Sequence, residues 1–160
     1  MTRKESIEFY RKYSGRLYNT ALRILGDPQD AEEVMQDTIL KYFTRLSRPE
    51  NEPQVSAWLL TTCRRRAIDR LRERKRRDIF LADYAGECTE IADIPTLSVT
   101  KIQQALSRLD DPYRLILILV LIEGLDYGEI SALTGKKEVT LRSLYSRGKA
   151  RLSRILEEYE

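Results

Sequence analysis

Arg64, Arg65, Arg66, Arg70, Arg72, Arg74, Lys75, Arg76 and Arg77 crowd one stretch of this 160-residue chain, opposed there only by Asp69 and Glu73. Cationic side chains at that density make phosphate a natural partner, against the alternative of a solvated charged face. A second basic set, Lys136, Lys137, Arg142, Arg147, Lys149, Arg151 and Arg154, lies near the C-terminus. Residues able to run acid-base or metal chemistry are scarce. The chain has no histidine, which removes the commonest general base and the commonest metal ligand together. Its carboxylates fall at helix caps and faces rather than in a metal-binding cluster. Cys63 and Cys88 have neither metal-ligand spacing nor the density of a disulfide framework and are expected to be reduced bystanders. No catalytic residue, metal or cofactor is expected, and a nucleic-acid-processing enzyme is disfavoured.

The elements that must position these charges are helical. Hydrophobic content is 42%, glycine and proline are few, and no stretch alternates strictly between apolar and polar residues. Tyr10, Tyr13, Leu17, Ala21 and Leu25 recur at helical spacing in a first helix from Ile7 to Leu25, with Gly26 as its cap. Asp27 then Pro28 starts a second helix, which runs to about Leu46 with Ala31, Val34, Met35, Thr38, Tyr42 and Leu46 on its apolar face. Asp30, Glu32 and Glu33 complement the positive end of its dipole, and Glu33, Gln36, Asp37 and Lys41 occupy its polar side. Ser47 to Pro53 reads as a polar loop. From Gln54 to about Arg77 a third helix carries Val55, Trp58, Leu59, Thr62, Ala67, Ile68 and Leu71 inward and the arginines outward.

Asp78, Asp83, Glu87, Glu90 and Asp93 then reverse the charge sign with no intervening lysine or arginine, which predicts a linker between two small domains. Beyond it, Ile102, Leu106 and Leu109 mark a short helix. Asp111-Pro112 starts another, whose run from Leu115 to Ile122 is apolar all round and is expected to be buried all round. That run falls far short of the roughly 20 residues a membrane span needs, and the N-terminus opens with charges, so no membrane insertion and a cytoplasmic location are expected. Asp126 and Glu129 form a capping-box pair ahead of a helix from Tyr127 to Thr134, which Gly135 ends.

The last helix, Glu138 to about Glu158, has Val139, Leu141, Leu144, Leu152 and Ile155 as its apolar positions. A short helix, a glycine-bearing turn and a basic helix make a helix-turn-helix pattern. In that geometry the first turn of the second helix meets base edges. Lys136, Lys137, Glu138, Thr140, Arg142 and Ser143 are placed for DNA, with Arg147 and Arg151 further along suited to phosphate. Taken alone, this pattern fits any stand-alone helix-turn-helix regulator, or a plain basic surface helix.

The stretch ALSRLDDPYRLILILVLIEGLDYGEISALTGKKEVTLRSLYSRGKARL closely resembles region 4 of extracytoplasmic-function (ECF) sigma factors, through its leucine-rich helix, E-G-L-x-Y-x-E-I, T-x-x-S and R-x-x-x-R. DPQDAEEVMQDTILKYF and VSAWLLTTCRRRAIDRLRERKR resemble region 2 of the same family, in family order. The resemblance implies an all-α protein of two helical domains: region 2 at 1–77, an acidic linker at 78–98 and region 4 at 99–160. It further implies transcription initiation on core RNA polymerase, with Asp30, Glu33, Gln36 and Asp37 docking on the clamp helices of the largest subunit. Region 4 would meet the flap of the second-largest subunit and hold the minus-thirty-five element as duplex. Region 2 would capture single-stranded minus-ten DNA through Arg64, Arg65, Arg66, Arg70 and Arg74. The loop from Ser47 to Pro53 would form a pocket for a flipped base, with Asn51 offering donor and acceptor; Trp58 is either a stacking residue or core. An anti-sigma factor or other regulatory partner is implied as well. The stand-alone regulator remains the alternative and explains only the C-terminal half.

This chain departs from the family at the turn, where Lys136, Lys137, Glu138 and Val139 replace the usual small apolar residue, proline and glycine. Leu144 stands where arginine is common. No serine, threonine, asparagine or aspartate caps the recognition helix, so region 4 is expected either to read a divergent element or to bind weakly without a partner.

Overall fold

A computed structural model describes residues 2–80 and 97–158, with side chains for 2–74 and 101–158. Every regular element among the described residues is helical, and the chain divides into two compact units.

The first unit is built from α1 (Arg3–Leu25), α2 (Pro28–Thr44) and α3 (Glu52–Phe80), each packed against the other two. α1 begins four residues earlier than the apolar spacing predicts. Thr2 and Glu5 form a capping box, in which the Thr2 hydroxyl accepts from Glu5 N and the Glu5 carboxylate accepts from Thr2 N. Gly26 ends the helix with φ of 70°, a left-handed conformation that costs glycine little. One residue later the Asp27 side chain accepts from Gln29 N and starts α2 with Pro28 in its first turn.

Leu17, Ala21, Ile24 and Leu25 of α1 meet Ala31, Val34, Met35, Ile39 and Tyr42 of α2 and Val55, Leu59, Cys63, Ala67, Ile68 and Leu71 of α3 in a buried core. Each fully buried valine, leucine or isoleucine side chain of this set contributes roughly 1.5–3 kcal/mol relative to exposure. Cys63 is a free thiol in this core and its Sγ lies 3.4 Å from Leu17 O; Cys88 lies outside the described residues. The buried Thr38 hydroxyl donates to Val34 O at 2.7 Å and so is satisfied within its own helix.

Three sequence expectations are corrected here. Leu46 is fully exposed rather than on the apolar face of α2, because the helix stops at Thr44 and Arg45 turns extended with ψ of 138°. Tyr10 is exposed, and Phe9 turns inward instead to pack on Tyr13, Tyr42 and Phe43 with ring centroids 4.7–5.0 Å apart. α3 runs from Glu52 to Phe80, so it takes in both the end of the predicted loop and the start of the predicted linker. Nothing between Arg77 and Phe80 breaks a helix. The acidic residues Asp83, Glu87, Glu90 and Asp93 lie outside the described residues.

The second unit comprises α4 (Leu97–Ser107), α5 (Asp111–Leu117, continued by a π-helical turn Ile118–Ile122), α6 (Tyr127–Thr134) and α7 (Glu138–Glu157). The cap of α5 is Asp110 rather than Asp111, and its side chain makes no capping hydrogen bond. Ile116, Leu117, Ile118 and Leu119 are buried with Ala105, Leu106, Leu109, Ile130 and Leu141. Leu121 and Ile122, expected to be buried, are exposed: they form the end of the run, where the chain leaves the helix for Gly124 (φ 68°). The Asp126–Glu129 capping box and the left-handed Gly135 (φ 74°) delimit α6 as its sequence predicts.

α7 crosses α5 at Gly148. A Cβ there would stand 3.4 Å from Leu117 Cδ1 and 3.5 Å from Tyr113 Cβ. Alanine is near the limit of that space, whereas Gly148→Leu forces the helices apart and is expected to cost about 1–3 kcal/mol in denaturant unfolding. Unfolding at the wild-type denaturant midpoint would show that the crossing has slack.

Candidate nucleic-acid interface

In the first unit, the arginines of α3 and the acids of α2 are not two separate surfaces. Arg66, Arg70 and Arg74, spaced four apart, lie on one face of α3 and meet Asp37, Glu33 and Asp30. Arg70 Nη2 donates to Asp30 Oδ1 at 3.1 Å and also to the Glu33 carboxylate. Arg74 Nη1 lies 3.8 Å from Asp30 Oδ2, and its Nη2 donates to Leu25 O at 2.7 Å. Arg66 Nη1 lies 3.7 Å from Asp37 Oδ2. Burial works against the Arg70 charge, but the hydrogen bond that the guanidinium donates to Glu33 and the field of Asp30 outweigh it and hold the guanidinium above its ordinary value.

These contacts sort the site residues read from sequence. Arg64 is only 9% exposed and faces the interior, whereas Arg65 is exposed. Arg70 and Arg74 are engaged by two acids assigned to polymerase. Gln36 lies on the exposed side of α2, its Nε2 3.4 Å from Glu32 Oε1.

Asn51 is exposed immediately ahead of α3, and its carbonyl accepts from Val55 N at 2.9 Å. The loop before it is held in shape. The Tyr42 hydroxyl donates to Pro49 O at 2.7 Å, Arg48 Nη1 donates to Phe43 O at 3.3 Å, and Arg45 Nε donates to Ser47 O at 3.1 Å. Desolvation raises the Tyr42 hydroxyl above its ordinary value, which keeps it protonated as a donor. Trp58 is half-buried beside Tyr42 at 5.8 Å, and Arg45 lies over its ring at 5.0 Å. One part of the indole thus joins the aromatic cluster while the Arg45 guanidinium lies over the ring. The sequence reading missed Arg45 and Arg48 because cations in a loop show no periodicity.

In the second unit, the turn between α6 and α7 is stable without the family proline. Ser131 Oγ donates to Lys136 O at 2.7 Å, and Lys136 N donates to Thr134 Oγ1 at 3.3 Å. Lys137 is the N-cap of α7 and makes no capping hydrogen bond. Lys136, Lys137, Thr140, Arg142, Ser143 and Arg147 are all exposed. The Arg142 guanidinium lies 5.6 Å above the Tyr127 ring, which itself packs edge-on to Tyr145 at 6.3 Å. Tyr127 therefore positions Arg142, a role its place in E-G-L-x-Y-x-E-I does not reveal by itself. Arg151 departs from the others: it lies over Tyr113 at 4.4 Å and 3.6 Å from Asp110 Oδ2, on the side of α7 that faces α5.

Comparison with known proteins identifies this arrangement. Residues 9–77 match Sigma-70 region 2, and residues 100–152 match Sigma-70, region 4. Over 95% of its length the chain is 30% identical to the ECF RNA polymerase sigma factor SigE of Mycolicibacterium smegmatis, of which it spans 62%. It is 26% identical to SigW of Bacillus subtilis, over 91% of this chain and 86% of SigW, and 26% identical to SigM of the same organism, over 92% and 93%. The chain belongs to the ECF group of RNA polymerase sigma factors. Its fold is also that of the sigma factor RpoE of Bartonella quintana, solved with the anti-sigma factor NepR. That likeness has a TM-score of 0.69 at 24% identity, over 96% of this sigma factor and 98% of RpoE. No helix among the described residues is long and apolar enough to cross a membrane.

Proposed function

We propose that this sigma factor binds core RNA polymerase and directs promoter recognition, melting and transcription initiation, with residues 1–77 acting as region 2, 78–98 as the linker and 99–160 as region 4. The observation that carries the reading is the presence of both sigma-region matches, in order, on one chain. Polymerase supplies the chemistry and sigma the recognition, which needs no catalytic residue or metal on this chain. The location is the cytoplasm, with the polymerase, and an anti-sigma factor or similar partner would hold the protein inactive.

Asp37, Gln36 and the outer side of Glu33 present the docking face for the clamp helices, and Asp30 contributes from beneath. Asn51 and the loop before it receive a flipped base, with Trp58 behind and Arg65 on the phosphates. Arg66, Arg70 and Arg74 reach DNA by giving up their acids on α2, so a polymerase cation that takes Glu33 or Asp37 frees an arginine for the promoter. Lys136, Lys137, Thr140, Arg142 and Ser143 meet the duplex element, and Arg147 with the outer reach of Arg151 takes phosphate.

The test adds the chain to sigma-free core polymerase and maps transcripts from double-stranded DNA. Initiation at a defined start supports the reading. A chain that binds DNA yet never starts transcription would be a stand-alone regulator. Within that assay, Arg142→Ala is expected to cost about 1–3 kcal/mol in promoter binding and to relax preference at one base pair. Equal weakening on all duplexes would make Arg142 a phosphate contact.

A further inference from the structure

Val139, one of the apolar positions of α7, is 74% exposed. Two residues later Leu141 is 2% exposed, and Leu144, Tyr145 and Gly148 complete the inward side of α7. Val139 instead heads the outward stripe, followed at helical spacing by Arg142, Ser143, Ser146 and Arg147, every one of them exposed. A single exposed valine is ordinary on a protein surface. Its place is not ordinary, because this stripe begins at the second residue of the helix that follows the Gly135 turn, between Lys137 and Arg142.

We propose that Val139 reads a thymine by covering its C5-methyl group in the major groove. The inference rests on the proposal that α7 enters the groove of the promoter. Of the groups that the four base pairs present in that groove, the thymine methyl is the apolar one; the others donate or accept hydrogen bonds. An isopropyl group against those polar edges would strip water from them without replacing its hydrogen bonds, and so would disfavour them. A β-branched side chain in a helix keeps one dominant rotamer, so Val139 meets the groove already ordered. Its neighbour Glu138 does not compete for the same edge. The Glu138 carboxylate lies over the start of α6, with Oε1 3.6 Å from where a Cβ on Gly128 would stand.

The test uses the full chain bound to core polymerase. A randomised upstream duplex is first selected for the preferred element, and each thymine of that element is then replaced by deoxyuridine, which removes only the methyl group. One replacement is expected to weaken wild-type binding about fourfold, the factor that one buried methyl is worth. Val139→Ala should bind the thymine duplex about as weakly as wild type binds the uracil one, and should not distinguish the two. Val139→Thr, which keeps a methyl in place, should retain part of the discrimination. Wild type that tolerates every uracil, or Val139→Ala that keeps the full discrimination, overturns the inference while leaving duplex reading by α7 intact. Failure to select any upstream element overturns both.

Discussion

Asp37→Arg is expected to weaken binding to core polymerase by about thirtyfold or more while leaving the fold intact. The Asp37 side chain is 53% exposed, and its contact with Arg66 at 3.7 Å joins two groups open to solvent. Exposed pairs of this kind contribute about 0–1 kcal/mol, so their loss barely touches stability. At a docking surface the same charge acts differently. Reversing it sets like charges against each other across a desolvated contact and is expected to cost roughly 2–5 kcal/mol of affinity, thirtyfold or more. Anisotropy titration with core polymerase, run beside thermal unfolding of the isolated protein, reads both quantities. Unchanged affinity would remove Asp37 from the docking surface, and a collapsed fold would show that the Arg66 pair carries more than its exposure suggests.

Asp30→Ala should do the opposite, weakening the fold before it weakens any partner. The Asp30 side chain is 18% exposed and stands between Arg70 at 3.1 Å and Arg74 at 3.8 Å, both about one-third exposed. Removing it leaves two guanidinium groups sharing Glu33 and Leu25 O. Hydrogen bonds to charged groups contribute about 1.5–3 kcal/mol where buried; with solvent reaching these arginines, about 1–2 kcal/mol is expected. Denaturant unfolding of Asp30→Ala, Arg70→Ala and the double variant gives the coupling directly. Additive losses would show that the acids and arginines merely lie side by side. Strong coupling together with unaltered polymerase affinity would make Asp30 a structural residue of α2 and α3, and leave docking to Asp37 and its exposed neighbours.

The different surroundings of two aspartates seven positions apart, one open to solvent and one set between two arginines, mark where reading the sequence stops. Most helix ends were legible, because caps are local: Gly26, Asp27-Pro28, Asp126 with Glu129, and Gly135 each act within a few residues of themselves. The all-helical class and the two sigma regions were legible too, from periodicity and from motifs in family order. The Thr2–Glu5 box was equally local but lay ahead of the apolar stripe that drew attention to α1.

The arginines of α3 were different. A basic stripe repeats every four residues whether it faces water, phosphate or an acidic helix, and periodicity carries no information about which. The packing of α2 on α3 decided it, bringing Asp30 to Arg70 across 40 positions of chain. The same holds for Val139 and Leu141, both apolar and two residues apart. Only the position of α5 and α6 against α7 determined that one fills the core and the other is left to meet solvent. Local hydrogen bonding sets where each helix begins and ends, whereas the side of a helix that finds a partner depends on elements distant in sequence.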